Sequence, residues 1–143
     1  MKKLALSVGL AVVLVSQSFS ADKTLYEKLG GKQAIDAVVV ELINKMMKDQ
    51  QLGKYCKGFD KEKVERNRQL VASFICKATG GPCDYKGRDM KTAHEKLKIS
   101  EKNWGRFVDL TKETLDQFKV PADVQKEFLA AVSPLKESIV SVK

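Results

Sequence analysis

From Ile35 onward the apolar residues of this chain recur at intervals of three and four. Ile35, Val38, Val39, Leu42, Ile43, Met46 and Met47 fall on one side of a helix, and no stretch sustains the period-two alternation of a half-buried strand. A chain patterned in this way can bury its apolar surface only by packing helix against helix. Three further stripes repeat the rule. They are Val64, Leu70, Val71, Phe74, Ile75 and Ala78; then Trp104, Phe107, Val108, Thr111, Leu115 and Phe118; then Val124, Phe128, Ala131, Val132 and Leu135. The breaks between them are chemically marked. Thr24 to Glu27 reads as a capping box opening a short helix that Gly30-Gly31 stops. Leu52 to Asp60 is a connector holding Gly53 and Gly58, and Gly80-Gly81-Pro82 ends the second long stripe. Cys83 to Lys91 is a loop with a brief helical turn leading to His94. Ser100 is placed to cap the next long helix, and Pro121 suits the first turn of the last one. The expected fold class is all-α, as a single domain over residues 22–143.

The first residues read as an address. Met1-Lys2-Lys3, an apolar run from Leu4 to Val15, and the small polar run Ser16 to Ala21 follow the order of a secretory signal peptide over residues 1–21. Cleavage after Ser20 or after Ala21 fits equally well. The apolar run is too short to span a bilayer, so the expectation is an exported, periplasmic protein without stable membrane association once the signal is removed. The remaining composition, 43% hydrophobic and 31% charged, has a soluble globular balance. Lys and Arg number 26 against 18 Asp and Glu, for a net +8, of which Lys2 and Lys3 carry two. The rest of the positive charge is interleaved with acids, as in Asp60-Lys61-Glu62-Lys63-Val64-Glu65-Arg66, and no aromatic-basic recognition motif occurs. That pattern describes solvated helix faces and excludes nucleic acid as the expected partner.

Three groups of residues bear on chemistry. His94, the single histidine, stands among Met90, Ala93 and Leu97 at helical spacing. One imidazole cannot complete a protein zinc site, but it can supply the axial ligand of haem; a lone histidine is otherwise an ordinary surface or core residue. Cys56, Cys76 and Cys83 with His94 add up to a Cys₃His set, but the Cys76–Cys83 spacing does not match a zinc knuckle. A Cys76–Cys83 disulfide that leaves Cys56 over, and three free buried thiols, stand as near-equal alternatives. Gly80-Gly81-Pro82 follows a helix and lacks the lysine of a phosphate-binding loop, so it reads as a helix terminator.

In order along the chain, Leu25-Tyr26-Glu27-Lys28-Leu29-Gly30-Gly31, Gly80-Gly81-Pro82, Tyr85, Gly87, Met90, Ala93-His94 and Val120-Pro121 resemble a group I truncated haemoglobin, here of a bacterial, exported kind. The resemblance runs over about residues 24–140. It implies a two-over-two helical sandwich holding noncovalent haem b, with His94 as the iron ligand. No Cys-x-x-Cys-His is present for covalent attachment. It further implies that Phe74 and Ile75 line the distal side, that Met90, Leu97, Ile99, Trp104, Phe107 and Val132 pack the proximal side and haem edge, and that Lys91, Arg88 or Arg66 reach the propionates. Ordinary core packing is the alternative role for each of the apolar residues.

The chain departs from that family at the distal positions. Where many members carry a tyrosine that donates to bound oxygen, gapless matching places Ile43, and the following distal positions fall on Asn67, Leu70 and Val71. The connector phenylalanine falls on Cys56 or Phe59. Few donors then face a bound gas, which implies weak oxygen retention unless Asn67 or Tyr55 turns inward. The expected function is reversible binding of oxygen, nitric oxide or carbon monoxide, for storage, delivery or sensing. The alternatives are a nitric oxide dioxygenase served by an unidentified electron donor, and an electron-transfer protein whose sixth position is closed by a side chain such as Lys63 or Met46.

Overall fold

A computed structural model describes residues 21–142. The signal-peptide reading of Met1 to Ser20 lies outside them. The chain folds as α1 (Leu25–Lys28), α2 (Gly31–Lys48), α3 (Lys61–Ala78), α4 (Met90–His94), α5 (Glu101–Gln117), α6 (Ala122–Val132) and α7 (Lys136–Ile139), with short 3-10 turns at Gly53–Cys56, Glu95–Leu97 and Ser133–Leu135. The expected capping box is present at α1, where Glu27 N–H donates to Thr24 Oγ1 and Thr24 N–H donates to the Glu27 carboxylate. Gly30 takes a left-handed φ of 95° to turn the chain into α2, a conformation that a side chain disfavours.

Two helix pairs, α2 with α3 and α5 with α6, stack through the contact of α2 with α5. Ile35, Val39 and Ile43 on α2 meet Val64, Ala72 and Cys76 on α3. Leu42 on the same helix meets Leu52 and Leu110, and Leu25, Leu115, Val124 and Phe128 close the other end. Val39 and Leu115 are each 1% exposed, and burying side chains of that size contributes about 1.5–3 kcal/mol apiece.

The stripes deviate from the expected core in specific places. On α3 it is Val64, Ala72 and Cys76 that are buried, while Leu70 and Phe74 are half-buried and Val71 is 37% exposed. The sequence stripe merged two faces of one helix, of which only one packs on α2. Met47 and Phe118 lie at the ends of their helices and are 38% and 39% exposed, because their neighbouring helices do not extend over them. Pro121 is the residue before the first turn of α6, not within it. Pro134 lacks the N–H that would continue α6 and crowds the carbonyl four residues back, so the chain tightens into the 3-10 turn before α7.

Two fastenings hold the ends of α3. Cys76 and Cys83 form a disulfide, leaving Cys56 as a half-buried thiol whose pKa burial pushes up. Gly81 sits so close to the Cys76 sulfur and the Tyr26 ring that any side chain there would overlap both, and Tyr26 N–H donates to Thr79 O at 2.8 Å. Before α3, the half-buried Asp49 carboxylate accepts from Arg106 Nε at 2.7 Å, from Gln51 N at 2.9 Å and from Leu52 N at 3.0 Å. This ties the connector to α5.

Closing the short Cys76–Cys83 loop removes unfolded-chain entropy worth about 2–3 kcal/mol. Denaturant titration with and without a reductant should show the reduced protein less stable by roughly that amount. The Arg106 guanidinium, foremost, holds the Asp49 carboxyl below its ordinary pKa. Asp49 therefore stabilises the fold fully above the ordinary carboxylate range and loses that effect as pH falls through its lowered folded value. Asp49→Asn should be less stable than wild type at pH 7, and the gap should narrow only as pH falls below the ordinary carboxylate range, closing once it passes the lowered folded value.

Candidate functional site

The short helix α4 positions the one histidine. Asp89 caps it, its carboxylate accepting from Thr92 N–H at 2.9 Å, and this pairing with Thr92 lowers the Asp89 pKa. His94 is the last residue of α4 and is half-buried. Its Nδ1 lies 2.8 Å from Met90 O. A carbonyl only accepts, so Nδ1 carries the hydrogen and Nε2 of the neutral ring presents a free lone pair. A backbone partner on one ring nitrogen, with the other free to ligate, is the usual arrangement of a metal-binding histidine.

Several apolar side chains on α3 and α5 and just beyond α4 are left partly uncovered by the core. Leu97, three residues beyond His94, is 40% exposed, and Val71 on α3 is nearly as open. Phe74 packs edge-on against Tyr85, with ring centroids 5.3 Å apart, and the Tyr85 hydroxyl donates to Arg88 O at 2.6 Å. Burial, the leading cause, raises the Tyr85 pKa. On α5, Trp104 and Phe107 form a tilted pair at 5.6 Å, and both are half-buried. Met90 is also half-buried. Met90 and Leu97 are partly exposed apolar residues that flank His94 in the chain. The disulfide between Cys76 and Cys83 takes two members out of the Cys₃His set.

Other candidates lie deeper or elsewhere. Ile43 is 9% exposed and belongs to the α2–α3 core cluster. Ile75 and Val132 pack against the cluster of Leu25, Leu115, Val124 and Phe128, and Ile99 is buried below α4. Asn67 is half-buried, and its side chain makes no hydrogen bond among the described residues, so its amide is free to serve a ligand. Tyr55 is committed to the protein, since its hydroxyl donates to Asn103 Oδ1 at 2.9 Å. Lys63 stands 4.1 Å from the centre of the Phe59 ring, and Met46 packs against Leu42, Leu52 and Leu110. Arg66 pairs with Glu62 at 3.1 Å, while Arg88 and Lys91 form no ion pair among the described residues.

Asn103 is a residue that periodicity did not reveal. It is 8% exposed, and its Oδ1 also accepts from Ser100 Oγ at 2.9 Å, joining the connector to the start of α5. The available signal was the Ser-x-x-Asn spacing of a capping box.

A family model described as bacterial-like globin matches residues 24–141. A group I truncated haemoglobin of Synechocystis is 32% identical over 111 residues, covering 75% of this chain and 87% of that protein. One from Nostoc commune is 30% identical over 118 residues, covering 82% and 98%. The fold is likewise similar to the crystal structure of truncated haemoglobin from Tetrahymena pyriformis in its Fe(III) form, with a TM-score of 0.77, 24% identity, and coverage of 82% of this chain and 98% of that one.

Proposed function

Because the chain belongs to the bacterial-like globin family, as a group I truncated haemoglobin, we propose that it is an exported gas-binding protein whose distal side releases oxygen readily. It is a haem-binding globin that binds diatomic gases. When bound, haem supplies an iron with an open position for oxygen, nitric oxide or carbon monoxide. The observation that carries the reading is His94, whose Nδ1–H is held by Met90 O while Nε2 is left to ligate. Val71, Phe74, Leu97 and Trp104 keep water from the site with apolar surface. The haem is held noncovalently, through His94 and this apolar contact.

The distal reading rests on which side chains can donate. Ile43 is buried and has no hydroxyl, Leu70 and Val71 are apolar, and Tyr55 is engaged by Asn103. Asn67 alone of the four distal candidates, Ile43, Asn67, Leu70 and Val71, offers an N–H. A missing hydrogen bond to a charge-bearing acceptor costs about 1.5–3 kcal/mol, or roughly tenfold to a hundredfold in affinity. The support for export is the Cys76–Cys83 disulfide, a bond that persists in oxidising compartments. This reading places the protein in the periplasm. It also requires an electron donor there to return oxidised iron to the gas-binding state.

Three measurements test these statements. Absorption spectra of the protein with haem, in ferric, reduced and carbon-monoxide forms, should show an intense near-ultraviolet band that shifts with carbon monoxide. His94→Ala should lose or strongly alter that band, and absence of haem uptake by wild type would overturn the reading. In stopped flow, Ile43→Tyr should slow oxygen dissociation by about tenfold or more; an unchanged rate would remove the distal argument. The mass of the protein recovered from the periplasmic fraction of an expressing bacterium should begin at Ala21 or Asp22. Recovery only as the uncleaved chain in the cytosol would remove the export argument.

A further inference from the structure

We propose that the segment Val140–Val142 is a backbone brace that sets how His94 is presented to the haem, which makes Lys98, Ile99, Ser141 and Val142 positioning residues. The inference rests on the haem reading for its consequence and on the geometry for its existence.

His94 ends a helix of only five residues, far below the length at which a helix holds itself together. Its ring is fastened to Met90 within that same helix. The orientation of the ring therefore depends on what holds the two ends of α4. Asp89 secures the first end. At the other end the chain passes through the Glu95–Leu97 turn into Lys98, which adopts φ 50° and ψ 51°. That left-handed conformation disfavours any residue with a side chain, and it persists only where the surroundings impose it.

The next residue shows what imposes it. Ile99 is 8% exposed, and its carbonyl accepts two hydrogen bonds, from Ser141 N–H at 2.9 Å and Val142 N–H at 3.1 Å. Ser100 and Val142 form the isolated parallel bridge of the structure. α7, which leads into this segment, packs against α4 itself, and Lys136 at its start pairs with Glu101 at 3.2 Å. A carbonyl engaged twice by one distant segment, directly after a strained residue and five residues after the histidine, is a fixed point for the turn. None of the bracing groups needs to touch the haem.

The test compares wild type with Ser141→Pro, Ser141→Ala and a chain stopped after Val140. Val140 has φ −78° and ψ 120°, a conformation that accepts a following proline, and Ser141→Pro deletes one N–H donor. Ser141→Ala keeps that donor and should behave as wild type. In the haem-loaded protein, Ser141→Pro and the shortened chain should shift or broaden the iron–histidine stretching band in resonance Raman spectra. They should also lose haem to an excess of an acceptor apoprotein severalfold faster, approaching tenfold for the loss of both hydrogen bonds. Adding Lys98→Gly to the shortened chain should recover part of the loss, because glycine holds the left-handed turn without help. An unchanged band and unchanged haem loss in Ser141→Pro would overturn the proposal. Amide exchange of residues 92–97, read on the protein as purified, judges the brace apart from the haem. Faster exchange in Ser141→Pro than in Ser141→Ala supports it, and equal exchange overturns it even where haem binds.

Discussion

The structure depends on α2 being buried on two sides at once. Ile35, Val39 and Ile43 face α3, and Leu42 faces α5 and the connector. One helix thus joins both layers, and the arrangement has a geometric consequence for its partner. α3 can present only one face to α2, so Val64, Ala72 and Cys76 are consumed by the core while Leu70, Val71 and Phe74 are left over. Among the described residues no further long helix covers them. On the haem reading proposed above, the uncovered apolar side of α3 is one wall of the site, and α4, with Met90, His94 and Leu97, supplies another. Function then occupies what the core could not bury.

That division asks different things of the two walls. α3 is rigid on its own account: eighteen residues long, capped by Asp60 and tied at its far end by the Cys76–Cys83 disulfide and the Thr79–Tyr26 hydrogen bond. α4 has one turn and almost no buried side chain, so its position is imposed from outside. Asp89, the Ile99 carbonyl and the packing of α7 each contribute a constraint. A short helix held at its ends can carry a ligating histidine without spending apolar surface on its own stability. That surface stays available to the bound group.

Most of the architecture was legible in the amino-acid sequence because periodicity and punctuation agree. The Thr24–Glu27 box, the Gly30 turn, the Ser100 cap and the Gly80-Gly81-Pro82 stop all lie at element ends. His94 and its neighbours were singled out through motif order, and their role as haem contacts is the reading proposed above. Periodicity could not separate the two faces of α3, because Val71 and Ala72 are adjacent in sequence and apolar alike, and only the position of α2 decides which one is core. Ile43, Ile75 and Val132 stand in the same ambiguity from the other side, since a residue that lines a haem pocket and one that packs beneath it have the same chemistry. The Ile99 brace was invisible for another reason: two backbone N–H groups carry it, and every residue but proline has one.

The distal side and the fastenings of the fold are linked by the same economy. On the proposed distal reading, a tyrosine hydroxyl at this place on α2 would both fill space and hold the gas. Here Ile43 fills the space and joins the α2–α3 core, so the residue that would have gripped the ligand contributes to stability. The Tyr55 phenol is likewise spent on structure, joining the connector to Asn103 and Ser100. On the distal reading proposed above, what is left for the ligand is apolar contact, the axial bond from His94 and the Asn67 amide, so selectivity falls to the iron and to the shape of the cavity. Such a site would discriminate little between oxygen and less polar diatomics and would suit rapid exchange of its ligand more than retention, while Ile43 and Tyr55 serve the fastening of the fold.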